Sequence, residues 1–216
     1  MKNISLVIYL LFGFWLSGGK AQTTSDSTLI KKDFFTLEEA LKNPTKVYRL
    51  TLGSSAMQIS DTVWAKFINL EYLSLKNDHL KRIPNGVGLL KNLKVLDLSG
   101  NDFKKIPQSF GNLSNLQELY LNDEKNFQLK KSISILSKLP HLTALHLEND
   151  KLVKLPNNIG KLSHLEALYL NNNNFKQVPT EIKGLKSLKY LDFHDNKVKP
   201  NFNQIQDQGF GVRISF

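Results

Sequence analysis

Aliphatic residues recur along this chain in the spacing Leu-x-x-Leu-x-Leu. The pattern stands at Leu70-Leu73-Leu75, Leu93-Leu96-Leu98, Leu116-Leu119-Leu121, Leu142-Leu145-Leu147 and Leu165-Leu168-Leu170, with variants at Val47-Leu50-Leu52 and Leu188-Leu191-Phe193. The starts at 47, 70, 93, 116, 142, 165 and 188 are 23 residues apart, with one step of 26. Self-similarity at such a period predicts a repeat architecture. Within each unit, Leu-x-Leu has the two-residue period of a strand with one buried face. Four units continue into an aliphatic-Pro pair, at Ile83-Pro84, Ile106-Pro107, Leu155-Pro156 and Val178-Pro179. Proline fixes φ and cannot donate to a ladder, so it ends the extended segment. One unit buries too little apolar surface to offset the entropy of ordering it, and must stack on its neighbours.

The run Leu93-Lys-Val-Leu-Asp-Leu-Ser-Gly-Asn101-Asp-Phe103-Lys-Lys-Ile-Pro107 resembles a leucine-rich repeat of the 23-residue class. The likeness extends over residues 47–199 as seven units. It implies an α/β solenoid of the exported bacterial type: a right-handed horseshoe with a parallel concave sheet and short helical or 3-10 convex segments. Such proteins mainly bind other proteins. The resemblance also implies an asparagine at the ninth position of each unit, bonded to backbone in the turn after the strand. Here that row reads Ser55, Asp78, Asn101, Glu124, Asp150, Asn173 and Asn196. Glu124 is the poorest substitute, and it belongs to the longer fourth unit, which also lacks the proline. Ser132-Ile133-Ser-Ile135-Leu136-Ser-Lys-Leu139 has helical apolar spacing, which predicts a convex helix capped by Ser132. An irregular loop is expected around residues 123–130.

The ends of an open solenoid need covering. Thr36-Leu-Glu-Glu39 reads as a capping box opening a short helix in an N-terminal cap over residues 22–46. Leu37, Ala40 and Leu41 turn inward there, Asn43-Pro44 ends the helix, and Phe34 and Phe35 are available to cover the first coil. Residues 200–216 form the other cap. Phe202, Ile205 and the alternation Val212-Arg213-Ile214-Ser215-Phe216 predict a sealing strand. Residues 1–21 combine Lys2, an apolar stretch from Ile4 to Leu16 and a small-residue end at Gly19-Lys20-Ala21. This is the layout of a cleaved signal peptide, and the stretch is shorter than the roughly 20 residues of a membrane-spanning helix. The expected destination is the periplasm, the cell surface or the medium. A monomer without a transmembrane segment is expected after cleavage.

Composition narrows the chemistry. Cysteine is absent, which removes disulfides, thiol catalysis and thiolate metal sites. The net charge of +10 comes from 29 basic and 19 acidic residues, and only Arg49, Arg82 and Arg213 are arginines. Arginine is the residue suited to forked recognition of phosphate or guanine, so no nucleic-acid partner is expected. There is no glycine-rich phosphate loop, His-Glu-x-x-His or Gly-x-Ser-x-Gly motif. The expectation is a non-enzymatic chain without cofactor or metal. Asp192 and His194 share one strand face, but two ligands do not make a metal site.

The non-leucine strand positions point away from the core. The central outward row reads Thr51, Ser74, Asp97, Tyr120, His146, Tyr169 and Asp192, and two residues earlier Arg49, Tyr72, Val95, Glu118, Ala144, Ala167 and Tyr190. Tyr120, His146 and Tyr169 should therefore be spatial neighbours, with Ala144 and Ala167 leaving room beside them. Such rings serve either as interface anchors or as cross-strand stabilisers of the sheet. The expected partner surface comprises Tyr72, Asp97, Glu118, Tyr120, His146, Glu148, Tyr169 and Tyr190. A second row, Lys81-Arg82, Lys104-Lys105, Lys154, Lys176 and Lys199, is basic. It is either an attractor of anionic partners or a solubilising edge. The leading expectation is protein binding on the concave face. The alternative is adhesion to an anionic glycan or the cell envelope through the aromatic row and the lysine edge.

Overall fold

Each Leu-x-Leu step buries two side chains and leaves the intervening one outside, so stacked steps form a sheet with one face in a core. The computed structural model describes residues 31–53, 56–124, 126–198 and 211–216. The expected signal peptide, residues 1–21, and Ser55, Lys199, Phe202 and Ile205 lie outside them. In the unit Lys31–Phe216, nine strands form one parallel sheet in chain order. They are β1 (Asp33–Phe34), β2 (Arg49–Thr51), β3 (Tyr72–Ser74), β4 (Val95–Asp97), β5 (Glu118–Tyr120), β6 (Ala144–His146), β7 (Ala167–Tyr169), β8 (Tyr190–Asp192) and β9 (Arg213–Ser215). β1 has no counterpart in the repeat pattern. It joins the first coil by pairing Phe34 with Leu50.

The register keeps one residue type above another. Leu50, Leu73, Leu96, Leu119, Leu145, Leu168 and Leu191 pair in succession, and all are fully buried. The residues on either side of each face outward. On the convex side, proline does more than end a segment. The Pro84, Pro107, Pro156 and Pro179 carbonyls accept the N–H groups of Val87, Phe110, Ile159 and Ile182 at 3.3, 3.1, 2.9 and 3.3 Å. Its fixed φ pre-sets the 3-10 turn that drives these apolar residues into the core.

The N-terminal cap helix α1 (Leu37–Leu41) begins at Thr36, whose side chain accepts the Glu39 N–H at 3.2 Å. The reciprocal half of the box is not made, because the Glu39 carboxylate takes Lys32 at 2.6 Å instead. Ala40 is buried, Leu37 and Leu41 pack partly on the core, and Phe34 joins them while Phe35 stays 67% exposed. A short helix α2 (Asp61–Trp64) buries Trp64.

In the fourth unit the helix α3 runs over Leu129–Leu136, starting a turn earlier than its apolar spacing suggests. Ser132 is not its cap. The serine is fully buried inside the helix, donating to the Gln128 carbonyl at 3.4 Å and accepting the Ile106 N–H at 3.3 Å. Leu129 and Phe127 explain the shift. Leu129 enters the core and Phe127 meets Phe103 edge to face at 5.8 Å, so burial sets the start of the helix.

Candidate functional site

The parallel register places Asp97, Tyr120, His146, Tyr169 and Asp192 side by side on the open face of the sheet. Three of these rings lie flat on one another. Tyr120 and His146 have centroids 3.9 Å apart at 17°, and His146 and Tyr169 are 4.0 Å apart at 5°. Tyr190 closes the row edge-on, 5.7 Å from Tyr169.

His146 is only 6% exposed although it sits on the outward row. Both ring nitrogens meet carboxylates: Nε2 lies 2.9 Å from Glu118 Oε1 and Nδ1 lies 3.2 Å from Glu148 Oε1. Two acceptors require two donors, which only the imidazolium has. Burial works against that charge, but the hydrogen bonds to Glu118 and Glu148 outweigh it and hold the His146 pKa above its ordinary value. Glu118 responds in the opposite direction. Burial raises its pKa, yet the bonds from His146 and from the Tyr120 hydroxyl, at 2.6 Å, bring it below the usual carboxylate value. A cation thus sits between two tyrosine faces, which attract it. Burial and the nearby carboxylates push the Tyr169 hydroxyl pKa up, so that ring stays neutral.

Glu118, Tyr120, His146, Glu148 and Tyr169 form one hydrogen-bonded, stacked cluster. Tyr190 extends it, and Asp97 borders it through its pairing with Tyr120, its carboxylate accepting the Ser99 N–H at 2.9 Å. Tyr72 stands apart, with the Arg49 guanidinium 4.2 Å above its ring. Ala144 and Ala167 lie in register between Glu118 and Tyr190, leaving a notch two small residues wide. Asn122 supports the cluster through a contact that the outward rows did not reveal, and Asp192, already on the central row, makes a pair of its own with His194. Asn122 accepts the Glu148 N–H at 3.0 Å, and Asp192 bonds His194 Nδ1 at 2.5 Å. Asn122 stands two residues after Tyr120 and Asp192 lies on the central row itself, a polar alternation visible in the sequence. Among the described residues, no group of three or more His, Asp or Glu is arranged to hold a metal ion.

A second recurring position also escaped the sequence reading. Asn77, Gly100, Asp123, Asn149, Asn172 and Asp195 all have positive φ, from 54° to 71°. They occupy the eighth place of successive units, where the chain leaves the strand in a left-handed turn. Glycine, asparagine and aspartate tolerate that conformation, so their recurrence was the available signal.

Residues 54–133 and 123–207 match the family described as Leucine-rich repeat region. The chain belongs to the leucine-rich repeat family. Solved structures of this fold resemble it at low identity. An internalin from Listeria monocytogenes aligns at TM-score 0.55 and 19% identity, over 79% of this chain and 47% of its own. A chain of the Toll–Spatzle complex from Drosophila aligns at 0.64 and 18%, over 76% of this chain and 22% of its own. A Leptospira interrogans leucine-rich repeat protein aligns at 0.53 and 24%, over 86% and 58%. This leucine-rich repeat chain thus spans about half the length of the internalin or less than two thirds of the other two. No curated protein matches its sequence.

Proposed function

We propose that this leucine-rich repeat protein is an exported, non-catalytic module that binds a protein partner on its concave face. The observation that carries the reading is the Tyr120–His146–Tyr169 stack tied to Glu118 and Glu148. Rings already locked in place lose little side-chain entropy on association, the condition under which aromatic anchors contribute most. His146 acts from within the stack as a positioning residue. Tyr120, Tyr169 and Tyr190 offer the contact surface, with Tyr72, Asp97, Glu118 and Glu148 around them. That a chain of this fold occurs in the Toll–Spatzle complex is consistent with the reading.

The test is photo-crosslinking from a reactive side chain at Asp97 or Asp192, compared with one at the convex Lys138. The expected result is a specific adduct from the concave positions only. The captured partner should then bind Tyr120→Ala/Tyr169→Ala at least about tenfold more weakly, as for loss of hot-spot rings. Adducts from Lys138 alone, or unchanged affinity in the double variant, would overturn the proposal.

A further inference from the structure

Charge divides this molecule by face. The chain carries 29 lysines and arginines, yet none stands on the outward rows of β4–β8. Those rows hold Asp97, Glu118, Glu148 and Asp192 instead. Among the described residues Asp97 forms no ion pair, Asp192 meets only His194, at 2.5 Å, and Glu118 and Glu148 share His146. Four carboxylates outnumber the two histidines, so the centre of the face stays negative. Arg49, Lys76 and Arg213 stand only towards its ends. Because salt screens distant charges, the sign of a patch decides what docks on it more than the net charge of the chain.

The same part of the face is recessed. Ala144 and Ala167, both half-buried, stand in register between Glu118 and Tyr190. Their methyl groups floor a gap of three strand spacings, roughly 14 Å, with a carboxylate at one end and a ring at the other. The Tyr120–His146–Tyr169 stack runs along its side. Although Glu118 holds His146, its side chain keeps 27% of its surface exposed. The far end of this row shows what such surroundings accommodate. There the Arg49 guanidinium lies 4.2 Å above the Tyr72 ring while its Nε donates to Asp33 at 2.5 Å. A ring face and a carboxylate together hold the chain's own cation.

We propose, resting on the concave-face reading above, that the protein partner presents a basic segment, one of whose arginine or lysine side chains lies in the Ala144–Ala167 recess with its charge towards Glu118. The aliphatic stem of such a side chain covers the two methyl groups while its head stays polar. The head then sits among a carboxylate and ring faces, both of which attract cations. Asp97 and Asp192 flank the stack on the central row and meet neighbouring cations of the segment. An acidic segment would set carboxylate against carboxylate. An uncharged one would strip water from Glu118 with nothing to replace it.

The test is calorimetric titration of the full chain with a short peptide that alternates arginine and serine, beside a glutamate–serine peptide and a serine-only one. The arginine peptide should bind, the other two should not, and added salt should weaken the binding. Asp97→Asn/Asp192→Asn, which keeps the hydrogen-bond acceptors and the stack, should weaken it about tenfold. Ala144→Leu/Ala167→Leu, which fills the recess, should abolish it. Lys104→Gln/Lys105→Gln, outside this face, should leave it unchanged. An absence of binding, equal binding of the glutamate or serine peptide, or full affinity in either concave variant would overturn the proposal. A partner crosslinked from Asp97 through a neutral or acidic segment would also overturn it and leave concave binding standing, whereas adducts from Lys138 alone would refute concave binding itself.

Discussion

Glu124 accepts the backbone N–H of Asn101 through Oε1 at 2.9 Å, while its Oε2 is buried without a hydrogen-bond partner. At three of the other repeats, Asn101, Asn173 and Asn196, its place is held by an amide. The Asn101 side chain accepts from Asp78 and Leu80 and donates to Leu75 and Leu98. Asn173 accepts from Asp150 and Leu152 and donates to Leu147 and Leu170. Glutamate and aspartate can supply the acceptor of this arrangement but, when ionised, no donor.

Burial first, and then neighbouring acids, push the carboxyl pKa values of both Glu124 and Asp150 up to about 8, against the opposing effect of the backbone N–H bonds. The folded chain keeps these protons where the unfolded chain has released them. Stability therefore falls as pH rises from the ordinary carboxylate range to about 8, then levels off. Glu124→Gln removes its share of that decline and supplies the missing donor. It should gain about 1–3 kcal/mol above pH 8. Urea unfolding across this pH range checks it, and parallel curves for the two proteins would contradict the argument.

His146 should titrate above an ordinary imidazole in the folded chain, because Glu118 and Glu148 hold its proton. Its contribution to stability is complete below the unfolded imidazole value and is lost as pH rises through the folded one. The ring-proton shifts of His146 by NMR report the midpoint directly. In Glu118→Gln/Glu148→Gln the midpoint should drop, leaving burial as the main influence. A midpoint that stays put would exclude the two carboxylates as its cause.

Leu96 is fully buried between Leu73 and Leu119 in the central leucine row. Leu96→Ala should cost about 2–5 kcal/mol as a core truncation. Val153→Ala, at a position 65% exposed, should change stability by less than about 0.5 kcal/mol. Denaturant midpoints for the pair measure the contrast, and similar losses would refute the assigned faces.

Ser132→Ala leaves the Ile106 N–H without its acceptor inside the core. The expected loss is about 1–2 kcal/mol, the cost of one buried donor left unpaired. Were Ser132 a helix cap instead, Ser132→Asp would be tolerated as a good capping residue. At this buried position it should unfold the fourth unit first, visible as early hydrogen exchange around residues 129–136.

How much was legible follows from how locally each feature is specified. The rungs, the outward rows and the convex prolines are periodic in sequence, and period alone assigns a side chain to a face. The stacking neighbours Tyr120, His146 and Tyr169 follow from that same period. β1 was not legible, since two residues pairing with the first coil carry no pattern of their own. Ser132 was misread because a serine before an apolar run looks like a cap until its burial is known.

By itself, the sequence determined the coil, because equal spacing of aliphatic residues admits only one way to bury them all. Tertiary structure alone decided the charge states. Whether His146 carries a proton, and whether Glu124 and Asp150 keep theirs, depends on burial and on partners most of which lie 23 to 28 residues away along the chain. Such electrostatic effects act between groups brought within a few ångströms, a distance that the order of residues does not contain.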